Sequence, residues 1–310
     1  MLDALIGLLA AYSLISPAYA SMPFVNGPSV VATLPTASLS PASSRFVARP
    51  PIKTRPESLG VETSARAVFV ADVATGDILY VKRAHDVLPI ASLTKLMTAM
   101  VVLSGDFDPS KTVTFTEDDF RGEGKGVFAP GDTITEGEAM RALLVGSVNV
   151  AANALARTTM GREAFVEAMN AKARDLHLVS PVFVDPTGVD TLNRANAADV
   201  AAMLTIALSQ QVIADAAALP SVTITTAACK KVPIVSTNLL LTSFLNKDPY
   251  HILGAKTGSL PQAGFDMAQV TQNAEGHAVV AVILASPNHF SRYQDIKAIT
   301  AWAFGAYRWE

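Results

Sequence analysis

Pro89-Ile90-Ala91-Ser92-Leu93-Thr94-Lys95-Leu96-Met97-Thr98-Ala99 begins a run whose helical pattern continues to Leu103 and stops at Ser104-Gly105, where Gly105 can serve as a C-terminal cap. From Ser92 to Leu103 the run is apolar on almost every face, and a helix of that kind has to be buried. The rest of the chain must therefore build a core around it. Lys95 stands apart from its apolar neighbours, one turn beyond Ser92 and on the same face, so the two side chains can touch.

Upstream, residues 67–73 and 78–82 are apolar, β-prone runs joined by Ala74-Thr75-Gly76-Asp77, which reads as a hairpin with Gly76 at the turn. Downstream, the stretch 106–220 is mainly helical in pattern, with segments at 136–144, 147–159, 163–176 and 195–210. Strand character returns at 222–224, 252–257, 265–270 and 278–285, before a last helix over 292–307. No internal repeat is present. A hairpin, a helical middle, returning strands and a terminal helix imply an α+β fold: an antiparallel sheet flanked by helices, with an all-α subdomain inserted at about 106–220.

The N-terminus has a different composition. An apolar stretch over 4–15 is followed by Pro17 and Ala18-Tyr19-Ala20, the pattern of a signal peptide cleaved after Ala20, although Met1-Leu2-Asp3 lacks the usual Lys or Arg. An uncleaved anchor would need about 20 apolar residues, and this run is shorter. Residues 21–64 hold seven of the 18 prolines and eight serines without apolar periodicity, so they read as a disordered or extended linker, leaving 65–310 as the folded domain. The basic lean of that linker (Arg45, Arg49, Lys53, Arg55) suits peripheral contact with an anionic wall or membrane surface, solvation being the simpler account.

Half the residues are apolar and 16% are charged, enough to bury a full core at 310 residues. A net charge of -3 argues against nucleic acid as a partner. Cys229 is the lone thiol, which excludes an intramolecular disulfide and reads as a small buried or idle side chain. The five histidines never fall at metal-ligand spacing, so no metal or other cofactor is expected.

Three strings carry the chemistry. Ser92-Leu93-Thr94-Lys95 pairs a hydroxyl with an amine; burial disfavours the ammonium, and an uncharged amine can take the serine proton. The alternative is a helix-capping serine followed by an ordinary lysine. S-x-N occurs at Ser147, Ser236 and Ser286, and only Ser147-Val148-Asn149 leads into a long helical run, where Ser147 can relay a proton and Asn149 can hold a carbonyl or the lysine. Capping by Ser147 is the structural alternative, and the other two copies read as loop serines. Lys256-Thr257-Gly258 ends a strand; K-T-G is expected by chance only about 0.05 times in this length, against roughly one S-x-x-K and one S-x-N. Lys256 and Thr257 suit a substrate carboxylate, and Gly258 lets an extended peptide approach the strand edge.

With these strings the chain, from about Ala67 to Tyr307, resembles the D-alanyl-D-alanine carboxypeptidase/endopeptidase family of low-molecular-mass penicillin-binding proteins. Residues 89–99 look like that family's nucleophile segment, and Phe183-Val184-Asp185-Pro186-Thr187-Gly188 and Asn238-Leu239-Leu240 resemble further family segments. Val148, Val150 and Ser259 depart from the common pattern, which bears on specificity rather than reaction type. The resemblance implies a β-lactamase/transpeptidase-like fold, export to the periplasm or cell envelope, peptidoglycan peptides as substrates and β-lactam antibiotics as covalent inhibitors. It implies Ser92 as nucleophile, Lys95 as base, Ser147 as proton relay, Asn149, Lys256, Thr257 and Gly258 as substrate-binding residues, and the Ser92 and Ser259 backbone N–H groups as the oxyanion hole.

Rival readings are a carboxypeptidase trimming terminal D-alanine, a β-lactamase, and a catalytically silent wall-binding module. A class A β-lactamase needs an E-x-x-L-N segment after the second motif, and residues 160–200 contain none. Only 52 residues follow Gly258, too few for the β-rich C-terminal domain and anchor of many carboxypeptidases, which tilts the expectation toward an endopeptidase.

Overall fold

The computed structural model describes residues 48–121 and 126–310, so the expected signal segment 1–20 and linker residues 21–47 lie outside the described residues. The N-terminal hairpin forms as β1 (Ala67–Asp72) and β2 (Ile78–Lys82). A second hairpin, β3 (Ser221–Thr225) with β4 (Lys231–Val235), stands apart from the main sheet. The late strands are β5 (Tyr250–Leu260), β6 (Gly264–Asn273) and β7 (Ala278–Ser286), and the five-stranded antiparallel sheet runs β5-β6-β7-β1-β2. The sheet is thus closed by an N-terminal hairpin docking on C-terminal strands.

Central position in that sheet explains β1, which is buried at every residue. Strand side chains alternate between faces, so Ala67, Phe69 and Ala71 enter one core while Val68 and Val70 enter the other. The first core is shared with α1 (Lys95–Ser104), α2 (Glu136–Val145), α3 (Asn149–Thr159), α4 (Arg162–Asp175), α5 (Ala197–Leu208) and α6 (Gln211–Ala217); the second lies under α7 (Ser291–Ala306). Every residue of α1 from Lys95 to Val102 is buried, and the helix contacts α2, α3, α4 and α5. The apolar run thus forms a helix enclosed by others, as its sequence requires.

The fold differs from the sequence reading in several places. The insert carries two short pieces of strand among its helices, a ladder of Thr112–Thr114 with Thr133–Thr135 and Arg194–Ala195 paired with Leu88–Pro89, so it is not all-α. The segment 195–210 ends as a helix at Leu208, and a separate helix, α6, follows. Residues 48–64, expected to belong to the linker, are extended but attached to the domain. Ile52–Lys53 pairs with Tyr307–Arg308, Trp302 Nε1 donates to Ser58 Oγ at 2.8 Å, and Lys82 Nζ donates to the Thr63 carbonyl at 2.7 Å. Of the buried and idle alternatives for Cys229 the buried one fails, since the residue is exposed at the turn between β3 and β4. Ser286 is a buried strand end rather than a loop serine, whereas Ser236 accepts the Asn238 N–H in a loop.

Candidate active site

The three strings fold onto three different walls of one site. Ser92 lies in a 3-10 turn, Ala91–Thr94, that leads into α1, rather than in the first turn of the α-helix itself. Ala91, just before it, has φ +44°, a left-handed conformation that costs a non-glycine residue of order 1 kcal/mol and is commonly kept at functional sites. No side-chain cap bond forms at this turn, so Ser92 is not acting as a cap. Its Oγ instead accepts from Lys95 Nζ at 3.0 Å.

Lys95 is fully buried, and its Nζ also lies 2.5 Å from Asn149 Oδ1 and 2.6 Å from the Thr187 carbonyl. A carbonyl oxygen accepts hydrogen bonds and cannot donate them. An uncharged amine that donates to these two oxygens can turn its lone pair to the Ser92 hydroxyl, reversing the bond that Lys95 Nζ donates to Ser92 Oγ here. That is the orientation a general base needs.

Ser147 precedes α3, whose N-cap is Val148 with no side-chain cap bond, so the capping alternative fails here too. Its φ of +58° turns the side chain into the site, where Oγ accepts from Lys256 Nζ at 2.8 Å. Lys256 is 1% exposed and has one further contact, to the Thr257 carbonyl at 3.0 Å. Burial pushes its pKa well below the ordinary lysine value, and repulsion from Lys95 and Arg292 pushes it further. Ser147 therefore sits against an amine that gives up a proton readily.

β5 is the edge of the sheet, paired on one side by β6. Its K-T-G end lies against the Ala91–Thr94 turn: a Cβ at Gly258 would come within 2.9 Å of the Ile90 carbonyl oxygen and 3.2 Å of the Ser92 backbone nitrogen. Only glycine fits at that approach. Ser259, the next residue, is exposed. Thr257 Oγ1 donates to Thr237 Oγ1 at 2.7 Å, Tyr293 OH donates to the Thr237 carbonyl at 2.7 Å, and Arg292 donates to the Gly258 carbonyl at 3.0 Å. The edge, with Thr257 and the buried amines of Lys95 and Lys256 beside it, is suited to an extended peptide.

The eight residues singled out in the sequence lie in or next to this site, Ser259 at its exposed end, and the structure adds others. The Thr187 carbonyl, Thr237, Arg292 and Tyr293 were not identified as site residues; a backbone acceptor carries no side-chain signature, and Arg292 and Tyr293 were read as part of an ordinary terminal helix. Asp266, opposite Gly258 in the β5–β6 register, was likewise missed. It is fully buried, and burial raises its pKa to about 8 despite the Ala285 N–H and the Arg292 charge. Among the described residues no cluster of His, Cys, Asp and Glu has the makings of a metal site.

Known proteins share this organisation. A D-alanyl-D-alanine endopeptidase from Pseudomonas aeruginosa is 30% identical over 270 residues, covering 86% of this chain and 84% of its own. The crystal structure of a D-alanyl-D-alanine carboxypeptidase from Mycobacterium tuberculosis superposes with a TM-score of 0.70 at 26% identity, covering 79% of this chain and 93% of that one. The Streptomyces K15 DD-transpeptidase has the same fold, with a TM-score of 0.73 at 23% identity over 79% of this chain and 99% of that one. The model of the S11 peptidase family, D-alanyl-D-alanine carboxypeptidase, matches residues 52–288, a span that takes in all three strings, and the chain belongs to that family.

Proposed function

We propose that the chain is a serine-type D-alanyl-D-alanine peptidase acting on peptidoglycan stem peptides, with endopeptidase action on cross-linked peptides favoured over carboxypeptidase trimming. The observation that carries this reading is the Lys95 amine, aimed at Ser92 by the two acceptors Asn149 Oδ1 and the Thr187 carbonyl. The choice of endopeptidase rests on the relatives so named, among them the proteins from Pseudomonas aeruginosa and Escherichia coli.

In the proposed reaction Lys95 takes the Ser92 proton as Oγ bonds to the carbonyl carbon preceding the scissile D-alanyl bond. Negative charge passes to the carbonyl oxygen, which the Ser92 and Ser259 N–H groups receive. Collapse breaks the C–N bond, and Ser147 passes to the departing amine the proton that Lys95 took from Ser92. Lys256 and Thr257 hold the carboxylate beside the scissile bond, while Asn149 positions both Lys95 and the substrate amide. Water then hydrolyses the Ser92 ester and regenerates the hydroxyl.

A β-lactam, whose strained amide opens without releasing a diffusing amine, acylates Ser92 by the same steps and remains bound. The polymer substrate places the enzyme in the exported compartment, in keeping with the leader-like N-terminus. Incubating purified protein with cross-linked and uncross-linked muropeptides tests the reading. Conversion of dimers to monomers is expected; loss of terminal D-alanine alone would select the carboxypeptidase, and no turnover of either by folded protein would favour a silent wall-binding module.

A further inference from the structure

Asp185 belongs to none of the three strings, yet its carboxylate takes five hydrogen bonds within its own loop. Oδ1 accepts from Thr187 N–H at 2.6 Å, Thr187 Oγ1–H at 2.5 Å and Gly188 N–H at 2.8 Å. Oδ2 accepts from Asp190 N–H at 3.0 Å and Asn193 Nδ2–H at 2.5 Å. Burial alone would raise the carboxyl pKa, but the bonds from Thr187, Asp190 and Gly188 outweigh it and hold Asp185 ionised. Asn193, fully buried, completes the ring by accepting from the Val184 N–H at 3.1 Å.

One peptide unit links this loop to the reaction. The Thr187 carbonyl that receives Lys95 and the Gly188 N–H that meets Asp185 belong to the same planar amide. In a trans amide the two groups point in opposite directions, so gripping the N–H aims the carbonyl. The negative charge on the N–H end also polarises the carbonyl end, strengthening its bond to the amine. The loop has little freedom to drift, because Gly188, at φ +81°, lies so close to the Ala91 carbonyl that a Cβ there would sit 1.9 Å from its oxygen. Thr98 Oγ1 fixes the preceding unit by donating to the Pro186 carbonyl at 2.6 Å.

We propose that Asp185, braced by Asn193, is a positioning residue: it aims the Thr187 carbonyl at Lys95 and so keeps the amine lone pair on Ser92. The inference rests on the reading of Ser92 and Lys95 as nucleophile and base, and Ser92→Ala and Lys95→Ala, run in parallel, test the two halves of that reading separately. If both variants fold and abolish acylation, that reading stands whatever the Asp185 variants do.

The test is the second-order rate of acylation of the purified chain by a fluorescent penicillin across pH, with a melting curve for each variant. In Asp185→Asn the amide still offers Oδ1 to Thr187 and Gly188, but its Nδ2 opposes the donors of Asn193 and Asp190. Acylation is expected to fall about 10- to 100-fold, the loss typical of a misplaced reacting group. The acid limb of the pH profile is expected to move to lower pH, because an aimed carbonyl stabilises the protonated amine more than the neutral one. Asp185→Asn combined with Asn193→Asp restores the bond between these two positions while the Asp190 N–H and carbonyl stay opposed, and is expected to recover part of the loss.

A folded Asp185→Asn that acylates at the native rate with the native pH profile overturns the proposal. So does a loss that follows the unfolded fraction while the acid limb stays in place. Should Asp185→Asn fail to fold, Thr187→Val removes one bond to Oδ1 without touching the carboxylate. It is expected to shift the limb in the same direction with a smaller loss, and an unmoved limb in that variant also overturns the proposal.

Discussion

Asp266→Asn should make the protein more stable at neutral pH, by an amount that grows with pH in a defined window. Asp266 is fully buried; Oδ1 accepts the Ala285 N–H at 2.8 Å, and Oδ2 has no partner. Its pKa of about 8 against the ordinary 3.8 means that the folded protein keeps a proton which the unfolded chain loses. Stability from this group is therefore full below about 3.8 and declines as pH rises towards 8. At about 1.4 kcal/mol per pH unit, the wild-type penalty reaches about 4 kcal/mol at pH 7.

Asparagine cannot ionise, so it escapes that penalty, although its amide N–H also lacks an acceptor and carries a pH-independent cost of about 1–3 kcal/mol. The pH-dependent difference is free of that cost, and titrations elsewhere in the chain cancel between the two proteins. Urea unfolding at pH 5, 6 and 7 should show the Asp266→Asn advantage growing by about 3 kcal/mol over the range. Parallel stability–pH curves for the two proteins would refute the claim that Asp266 is folded as the neutral acid.

Lys256→Met should abolish turnover yet stabilise the fold by about 1–3 kcal/mol, a rise of roughly 2–4 °C in Tm per kcal/mol, because an amine disfavoured by burial is replaced by an apolar chain. Lys256 has a lowered pKa, so the folded state holds fewer protons than the unfolded one; the stabilisation should shrink as pH rises towards 10.5, and thermal melts at pH 7 and 10 check it. Gly258→Ala should slow acylation by about 10- to 100-fold, since the new methyl would displace the Ile90 carbonyl and the Ser92 N–H; stopped-flow acylation at the native rate would show that the close approach is unimportant.

Much of this arrangement is legible in the chain because physics leaves few choices. A helix apolar on all sides has to be enclosed, and the 67–73 run, paired on one side with 78–82, could satisfy its other edge only by joining a late strand. Boundaries were less legible. Pro233 lies in the middle of β4 and removes a donor, which demotes the run 231–235 in any strand reading; it survives because the hairpin is isolated from the main sheet, and Val232 and Ile234 still alternate inward. The break between α5 and α6 falls at Ser209-Gln210, where the chain carries neither glycine nor proline to mark it. The three strings named the side chains that meet. They could not name the Thr187 carbonyl, whose role depends on a loop folding back by 92 residues onto Lys95. Nor could they place Asp266, whose protonation follows from its depth in the sheet and not from its neighbours in sequence.

The central claim is that Ser92, activated by Lys95, forms the acyl-enzyme. Intact-protein and peptide mass spectrometry after brief exposure to penicillin tests it most directly. The account expects one adduct per chain, located on the peptide containing Ser92, and none in folded Ser92→Ala. An adduct on another residue, or undiminished labelling of Ser92→Ala, would contradict it.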